Sequence, residues 1–179
     1  MLNDAVDLMI GVLELLEIIF LYTVPLYIAN STPVIVHGKI PIDFGKNFFG
    51  KPILGKGKTF LGAFAGVLAG SAFGALIIQI FPFATSLIPN YFALAVFLSI
   101  GAILGDIVKS FFKRRFGIES GQKWVLADQL DFILGGIVLS LLVRVPEYWL
   151  VLLLLFATFF IHCGVNLIAY KLKLKKVPW

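Results

Sequence analysis

Long apolar runs, separated by two charged connectors, dominate the pattern of hydrophobic and polar positions along this chain. Most of these runs extend over roughly 20 residues with few charges, which is the length that an α-helix needs to cross the hydrocarbon core of a bilayer. The pattern predicts an all-α integral membrane protein with five transmembrane helices in a single domain that covers residues 1–179. The predicted spans cover about residues 2–29, 60–81, 91–112, 128–143 and 148–170.

Glycines recur at every fourth residue of the second predicted span: Gly62, Gly66, Gly70 and Gly74. Small residues at this spacing form a smooth ridge that lets a neighbouring helix approach closely. The ridge therefore predicts helix packing rather than chemistry. The sequence leaves open whether the packing partner belongs to the same chain or to a second copy, and with it the oligomeric state.

The composition supports a membrane protein and excludes several other classes. The chain is 60% hydrophobic and 14% charged, with a mean hydropathy of +0.99. A chain of 179 residues cannot bury so much apolar surface in one soluble core, and five spans leave no room for a soluble domain. The single cysteine, Cys163, excludes a disulfide framework and a cysteine-based metal site.

Lysine and arginine fall almost entirely on one side of the predicted membrane. The first connector has five lysines, the stretch from Lys109 to Lys123 has five basic residues and the C-terminal tail has four, whereas the opposite side has only Arg144. By the positive-inside rule, both long loops and the C-terminus are predicted to be cytoplasmic, and the acidic N-terminus to be outside. Because the spans interrupt the basic residues, we expect no nucleic acid and expect anionic lipids and phosphates as partners.

Three carboxylates stand in or beside the second charged connector. Asp128 and Asp131 are three residues apart at the start of the fourth span, so they share a helix face and offer hard oxygen ligands to magnesium. Helix capping by Asp128, with Asp131 in the first turn, explains the same spacing and stays open. Asp106 lies inside an apolar span, where an ionisable group is costly and indicates a functional site. A structural ion pair between Asp106 and Lys109 is the alternative.

A basic cluster of Lys113, Arg114 and Arg115 ends the third predicted span. Basic residues suit both the C-terminus of a helix and the cytoplasmic side of a membrane, so one or two of them need no other purpose. Magnesium, however, takes a few carboxylates together with the phosphates of a substrate. Carboxylates beside a basic cluster therefore predict a site for a magnesium-bound triphosphate.

The first connector carries a glycine-rich basic loop between Gly50 and Gly62. Lys56, Lys58 and Thr59 stand at the predicted N-terminus of the second span, where backbone amides and the helix end favour anions. The spacing does not fit a Walker A loop, and no strand–loop–helix context surrounds it. We expect this loop to contact phosphates, and a flexible basic loop is the alternative.

Several short motifs resemble those of the membrane CDP-lipid cytidylyltransferases: Ser110-x-x-Lys113-Arg114, Glu119-Ser120 and Asp128-x-x-Asp131. The wider family has a Pro-Gly-His-Gly-Gly segment that this chain lacks, and Gln129 stands where the wider family has arginine. The chain is identified as a member of the small archaeal branch, the CDP-archaeol synthases. The resemblance covers nearly all of the chain and includes three further motifs: Asn30-x-x-Pro33, Pro41-x-Asp43-x-Gly45 and Gly55-x-Gly-Lys58-Thr59.

The resemblance implies transfer of the CMP moiety of CTP to an unsaturated archaeal ether-lipid phosphate, 2,3-bis-O-geranylgeranylglycerol 1-phosphate. CDP-archaeol and pyrophosphate are the implied products, and magnesium is the implied cofactor. The same resemblance implies that Asp106, Asp128 and Asp131 hold the metal and form the catalytic centre with Lys113. The implied nucleotide-binding residues are Asn30, Lys56, Lys58, Thr59, Lys109, Arg114 and Arg115.

Two other functions remain as alternatives. A CTP-dependent lipid kinase of the polyprenol type would transfer the γ-phosphoryl group and release CDP without pyrophosphate. A small ion-coupled transporter would use Glu14, Glu17 and Asp106 as an ion path, and nucleotide would not stabilise it. The sequence assigns no role to Glu14, Glu17, His37 or His162.

Overall fold

The computed structural model describes residues 2–36, 38–120, 122–124, 126–171 and 173. These residues form a helical bundle with the helices α1 Leu2–Ile35, α2 Phe60–Ile80, α3 Phe83–Leu87, α4 Tyr91–Arg115, α5 Ala127–Ser140 and α6 Tyr148–Lys171. Two short antiparallel strands, β1 Asn47–Phe48 and β2 Lys51–Pro52, form a hairpin in the first connector. His37 and residues 174–179 of the basic tail lie outside the described part of the chain.

Among the described residues, three helices are long and apolar enough to cross a membrane: Val6–Ile35, Phe60–Ile80 and Tyr91–Arg115. Helix α6 contributes a shorter apolar segment, Tyr148–Ile161. Helix α5 has 14 residues, which at about 1.5 Å per residue is shorter than the roughly 30 Å of a hydrocarbon core. The prediction of an all-helical membrane protein is thus confirmed, and the count of five spans stays a prediction.

Two helices extend further than the apolar pattern predicted. Helix α1 continues through Pro25 and Pro33 to Ile35, so Asn30 lies on a helix and not in the connector. Helix α4 includes the three basic residues 113–115 in its last turn, where cations interact favourably with the carbonyl end of a helix.

The other differences concern short elements. Helix α5 ends at Ser140 rather than at residue 143, and the predicted turn after α2 contains the five-residue helix α3. The hairpin β1–β2 adds two strands of two residues each to the predicted all-α fold. Elements of this length are too short to show a hydrophobic period, which is why the sequence pattern did not predict them.

A proline in α1 determines one contact between α1 and α4. Pro25 has no N–H, so the carbonyl of Leu21 loses its usual partner four residues later in the helix. The hydroxyl of Tyr91 donates a hydrogen bond of 3.0 Å to this carbonyl, and both residues are fully buried. In a membrane no water can replace the missing donor, so Tyr91 stabilises α1 at this proline and joins it to α4.

The first testable prediction concerns this hydrogen bond. Tyr91→Phe is expected to lower the free energy of unfolding by about 1–3 kcal/mol, because it leaves a buried carbonyl without a donor. Thermal unfolding of the purified protein in detergent micelles measures the effect. Tyr148→Phe is the matched control, since the Tyr148 side chain is 80% exposed. Equal Tm values for Tyr91→Phe and Tyr148→Phe would contradict the prediction.

The glycine ridge of α2 packs against α1 and α4 of the same chain. A Cβ added at Gly70 would lie 2.7 Å from the carbonyl oxygen of Pro25 on α1, and it would also collide with Ser99 on α4. A Cβ at Gly74 would collide with Ala95 on α4. The small residues therefore let α2 fit between α1 and α4, close to both backbones.

Candidate active site

Three carboxylates meet at the ammonium group of Lys109. The Nζ atom of Lys109 lies 3.2 Å from Oδ1 of Asp106, 3.1 Å from Oδ1 of Asp128 and 2.8 Å from Oδ2 of Asp131. Asp106 and Lys109 come from α4, and the other two carboxylates come from the first turns of α5. The three predicted metal ligands are thus neighbours in space, with a lysine between them.

Close packing of α4 against α5 brings these residues together. A Cβ added at Gly135 would lie only 2.8 Å from the Cα atom of Gly105, and one at Gly101 would lie 2.6 Å from the Cα atom of Gly136. Small residues at these positions let the two backbones touch. The first turn of α5 therefore lies directly against the part of α4 that carries Asp106 and Lys109.

Two further lysines complete the cluster. Lys58, from the first connector, donates a hydrogen bond to Oδ2 of Asp106. Lys113, near the end of α4, donates to both carboxylate oxygens of Asp128 at 3.0 Å. Three lysines and three aspartates give the cluster no formal net charge, which lowers the cost of burying charged groups in a membrane protein.

Asp131 is the most deeply placed of the three carboxylates. Its residue is 8% exposed, and its carboxylate lies 2.8 Å from the ammonium group of Lys109. A buried carboxylate supplies hard oxygen ligands and is well suited to bind a cation.

Asp128 does not cap α5, which was the structural alternative for its spacing. Leu126 stands at the cap position and makes no side-chain cap hydrogen bond, and the helix begins at Ala127. Oδ2 of Asp128 instead accepts a hydrogen bond of 2.7 Å from the backbone N–H of Trp124. The carboxylate therefore ties the preceding loop to the cluster while it contacts two lysines.

The cluster lies in a polar cavity of about 250 Å³. Side chains from α1, the first connector, α4 and α5 line it, so the cavity joins four segments that are distant in sequence. The predicted site residues that it brings together are Asn30, Lys58, Asp106, Lys109, Asp128 and Asp131. Lys113 adjoins this cavity through its contact with Asp128.

A larger cavity of about 710 Å³ lies between the first connector and the segment that follows α4. Lys56 and Arg114 line this cavity, together with Lys51, Glu119 and Ser120. Its volume is within the range of about 300–1,000 Å³ that is common for ligand sites. Lys56 is thus separated from the aspartate cluster, although Lys58 two residues later belongs to it.

Arg115 holds the β-hairpin against the end of α4. Its Nη2 atom donates to the carbonyl oxygens of Lys51 at 3.1 Å and Pro52 at 2.6 Å, and Nη1 donates to that of Phe48. The guanidinium carbon also lies 5.4 Å and 5.3 Å from the ring centroids of Phe48 and Phe111. Such contacts combine hydrogen bonding with cation–π attraction, so a nucleotide contact of Arg115 stays a prediction.

Arg114 also holds loop segments in place through backbone carbonyl groups. Its Nε atom donates to the carbonyl oxygen of Leu54 at 3.1 Å, and Nη1 donates to that of Ile118. Gly55, at a φ of 95°, leaves the space that this guanidinium needs, because a Cβ there would lie 3.2 Å from Nε. Both arginines therefore position the loop that carries Lys58.

Asp43 organises the same loop, a role that its motif in the sequence did not indicate. Its carboxylate accepts backbone hydrogen bonds from Gly45 at 2.9 Å, Leu54 at 2.8 Å and Gly55 at 3.0 Å. Burial raises the pKa of Asp43, but these three N–H groups together outweigh burial and lower that pKa below its ordinary value. The signal in the sequence is the spacing of Asp43 and Gly45, which fits a side-chain-to-backbone turn.

A second prediction follows from the contacts of Asp43. Because its pKa is lower in the folded than in the unfolded chain, the ionised carboxylate adds stability above about pH 4 that is lost as the pH falls further. Asp43→Asn removes this charge at neutral pH and is expected to cost about 1.5–3 kcal/mol of local stability. Amide exchange of Leu54 and Gly55 should become at least roughly tenfold faster. Asp7→Asn is the matched control, and unchanged exchange at Leu54 and Gly55 would contradict the prediction.

Thr59 caps helix α2. Its Oγ1 atom accepts hydrogen bonds from the backbone N–H groups of Gly62 at 3.2 Å and Gly38 at 3.0 Å, and the residue is buried. This is the usual role of a threonine at the N-cap. A contact between Thr59 and the nucleotide stays a prediction.

The donor set of the cluster fits a hard divalent cation. Within the described residues, no group of three His, Cys, Asp or Glu side chains is arranged to hold a metal ion. Lys109 lies where the three aspartates meet. The aspartates nevertheless supply carboxylate oxygens only, around one point that already holds a positive charge. Magnesium prefers such ligands, so the residues fit the metal provided that Lys109 gives up contacts.

Comparisons with known proteins agree with the motifs. A family model described as CarS-like CDP-archaeol synthase matches residues 9–179. The chain is 42% identical over 166 residues to the CDP-archaeol synthase of Methanospirillum hungatei, which covers 87% of this chain and 99% of that protein. It is 41% identical over 174 residues to the CDP-archaeol synthase of Pyrococcus horikoshii, with coverage of 93% and 98%.

A solved structure supports the same relationship at the level of the fold. It is described as an intramembrane enzyme for archaeal membrane lipids biosynthesis, and it aligns with a TM-score of 0.74 at 35% sequence identity. The alignment covers 82% of this chain and 90% of that chain. Sequence and fold therefore agree over most of the molecule, and the chain belongs to the CDP-archaeol synthase family.

Proposed function

We propose that the polar cavity binds the triphosphate of CTP and is the catalytic centre of this protein. The protein is a CTP-dependent nucleotidyltransferase, which transfers the CMP moiety of CTP to an unsaturated archaeal ether-lipid phosphate and releases pyrophosphate. The observation that supports this location is the convergence of three aspartates on Lys109, with Lys58 and Lys113 on either side.

The reaction needs positioning and charge neutralisation rather than a protein nucleophile. A phosphate oxygen of the lipid forms a bond to the α-phosphorus of CTP, and the bond from this phosphorus to the bridging oxygen of the β-phosphate breaks. The electron pair leaves with pyrophosphate, so negative charge grows on the leaving group. Fixed cations near that group therefore stabilise the transition state more than the ground state.

We assign Lys58 and Lys113 to the triphosphate and the leaving pyrophosphate. Asp106 holds the ammonium group of Lys58, and Asp128 holds that of Lys113. These carboxylates fix the positions of both cations before the nucleotide binds, which lowers the reorganisation that the reaction requires. Asn30 adds a neutral amide to the same cavity.

We assign magnesium to Asp106, Asp128 and Asp131, and propose no other metal ligand from the chain. When bound, magnesium neutralises phosphate charge and fixes the orientation of the triphosphate. Lys109 Nζ lies where the three carboxylates meet, so binding of the cation requires Lys109 to give up at least one of its three contacts. Lys109 thus keeps the carboxylates together in the metal-free protein and is free to contact phosphate afterwards.

The larger cavity is our candidate for the remainder of the nucleotide. Consecutive residues of one loop line both cavities, Gly55 and Lys56 the larger and Gly57 and Lys58 the smaller. A ligand that occupies both would contact Lys56 as well as Lys58. Arg114 and Arg115 act there mainly through the loop that they hold in place.

The sidedness of the chain in the membrane also belongs to this proposal. Both cavities lie at the end of α4 that carries the basic cluster. The positive-inside rule makes this end cytoplasmic, with the C-terminus, and places the N-terminus of the multi-pass chain outside. CTP then reaches the site from the cytoplasm, and the lipid reaches it from the bilayer.

A product assay tests the proposed reaction. Purified protein with magnesium, CTP and 2,3-bis-O-geranylgeranylglycerol 1-phosphate is expected to form pyrophosphate and a CDP-activated lipid in equal amounts. Omission of the lipid phosphate is the control and should yield neither product. Release of CDP without pyrophosphate would instead identify a lipid kinase. A protein that CTP and magnesium do not stabilise against heat would support the transporter.

A further inference from the structure

An almost entirely apolar groove runs between α4 and α5, outside the polar cavity. Its volume is about 660 Å³. One row of side chains at four-residue spacing on each helix lines it: Leu104, Val108 and Phe112 on α4, and Leu130, Leu134 and Val138 on α5. Val108 is 53% and Leu134 is 46% exposed, so these rows are left for a membrane component or a partner to cover.

The floor of the groove is formed where the two helix backbones touch. Gly105 and Gly135 line it, and a Cβ on Gly135 would lie 2.8 Å from the Cα atom of Gly105. Without side chains at these positions, a long slot stays open between the two apolar rows. From residue 104 to residue 112 the slot extends about 12 Å along α4, which suits an extended hydrocarbon chain.

The groove and the polar cavity share two residues, Lys109 and Asp131. These are the charged members of an otherwise apolar lining. On one side of this pair lie hydrocarbon side chains, and on the other lie Asp106, Asp128 and Lys58. A molecule that spans this pair would combine an apolar chain with a charged head, and Lys109 can contact an anionic head once a metal ion takes over some of its aspartate contacts, as proposed above.

We infer that the α4–α5 groove receives an isoprenoid chain of the acceptor lipid phosphate, whose phosphate group enters the polar cavity beside Lys109. The inference rests on the proposed function and adds the location of the lipid chain. Continuity of the groove with the cavity favours this occupant. A second copy of the chain would cover the apolar rows but would bring no anionic group to Lys109.

Trp124 allows a direct test of occupancy that does not depend on catalysis. It lines the groove and is one of three tryptophans, so Trp149→Phe and Trp179→Phe leave it as the only strong fluorophore. A lipid phosphate with brominated chains is expected to quench Trp124 in a saturable way. Phosphatidylcholine with brominated chains, which has no free phosphate group, is the control and should quench much less at the same mole fraction.

Substitutions that fill the groove with a bulky side chain give a second, independent test through the KM for the lipid phosphate. Val108→Trp and Leu134→Trp place a bulky ring in the slot and are expected to raise the KM for the lipid phosphate at least roughly tenfold, with the KM for CTP unchanged. Leu68→Trp on α2 is the matched control, because Leu68 is 58% exposed and does not line the groove. Stabilisation by CTP and magnesium shows that each variant is folded.

The possible outcomes separate this inference from the proposed function. A wild-type protein that makes no pyrophosphate overturns the proposed function. An active wild type overturns the groove assignment if both tryptophan variants keep the lipid KM unchanged. Equal quenching by the two brominated lipids overturns it in favour of bulk lipid. Quenching by neither, with a change in oligomeric mass for Val108→Trp, overturns it in favour of a second copy of the chain.

Discussion

Asp131→Asn is expected to lower the rate of pyrophosphate release by about 10²–10³-fold, the loss that typically follows removal of one preorganised electrostatic group. The substitution keeps the shape of the side chain but removes its charge. Asp131 is buried and lies 2.8 Å from Lys109. Under the proposed function its negative charge binds the magnesium that orients the triphosphate, and a neutral amide cannot replace that charge.

The measurement is the initial rate at saturating CTP, magnesium and lipid phosphate, for protein reconstituted in liposomes. Asp7→Asn is the control, because it makes the same chemical change on an exposed residue near the N-terminus of α1. Stabilisation by CTP and magnesium against heat should also be lost in Asp131→Asn. A variant with full activity and full stabilisation would remove Asp131 from the metal site.

Lys109→Met is expected to lower the free energy of unfolding by about 3–5 kcal/mol in the absence of divalent cations, as when one partner of a buried ion pair is removed. Lys109 contacts all three aspartates, and its side chain is only 14% exposed. Methionine has a similar length but no charge. Three carboxylates would then lie close together with only Lys58 and Lys113 to balance them.

Magnesium should offset much of this loss. If the aspartates bind the metal at the point that Lys109 occupies, the variant offers a site with no competing ammonium group. Its Tm should therefore rise more with added magnesium than the Tm of the wild type, since a ligand that binds only the folded state stabilises it. Thermal unfolding in detergent with and without magnesium, in the absence of nucleotide, measures this difference.

Lys113→Met is the matched control for the lysine variant. Lys113 contacts Asp128 and, by the described ion pairs, neither of the other two aspartates. Its replacement should cost less stability and should leave the rise in Tm with magnesium close to that of the wild type. A Lys109→Met protein that gains no more from magnesium than Lys113→Met would show that the three aspartates do not form a cation site.

Residue spacing within one helix could predict the contact between Asp106 and Lys109, but not the cluster to which it belongs. The sequence offered two alternatives for them, a functional carboxylate or an i,i+3 ion pair, and the structure contains the ion pair as part of a larger cluster. The spacing of Asp128 and Asp131 likewise predicted a shared face, and both carboxylates do contact Lys109. Neither spacing could indicate that one lysine would join all three aspartates, because spacing within α4 or within α5 does not say how the two helices pack against each other.

The contacts of Arg115 and Asp43 could not be predicted from sequence patterns. A phosphate contact of Arg115 stays a prediction, whereas the contacts of its guanidinium with carbonyl oxygens more than 60 residues earlier in the chain were not predicted. Asp43 accepts hydrogen bonds from residues 11 and 12 positions later. The charge and spacing of a residue indicate which chemical groups its side chain can bind. They do not indicate which of several such groups it contacts in the folded protein.

By itself, the sequence determined that this is a helical membrane protein, because apolar runs of membrane length leave the chain few alternatives. It also determined the family, through motifs that are local and close to the chemistry. The tertiary structure decided which charges neutralise one another, which loop the arginines hold and where an apolar groove meets the polar cavity. These features depend on contacts such as Lys58 with Asp106, 48 residues apart, which form only after distant segments of the chain have packed together.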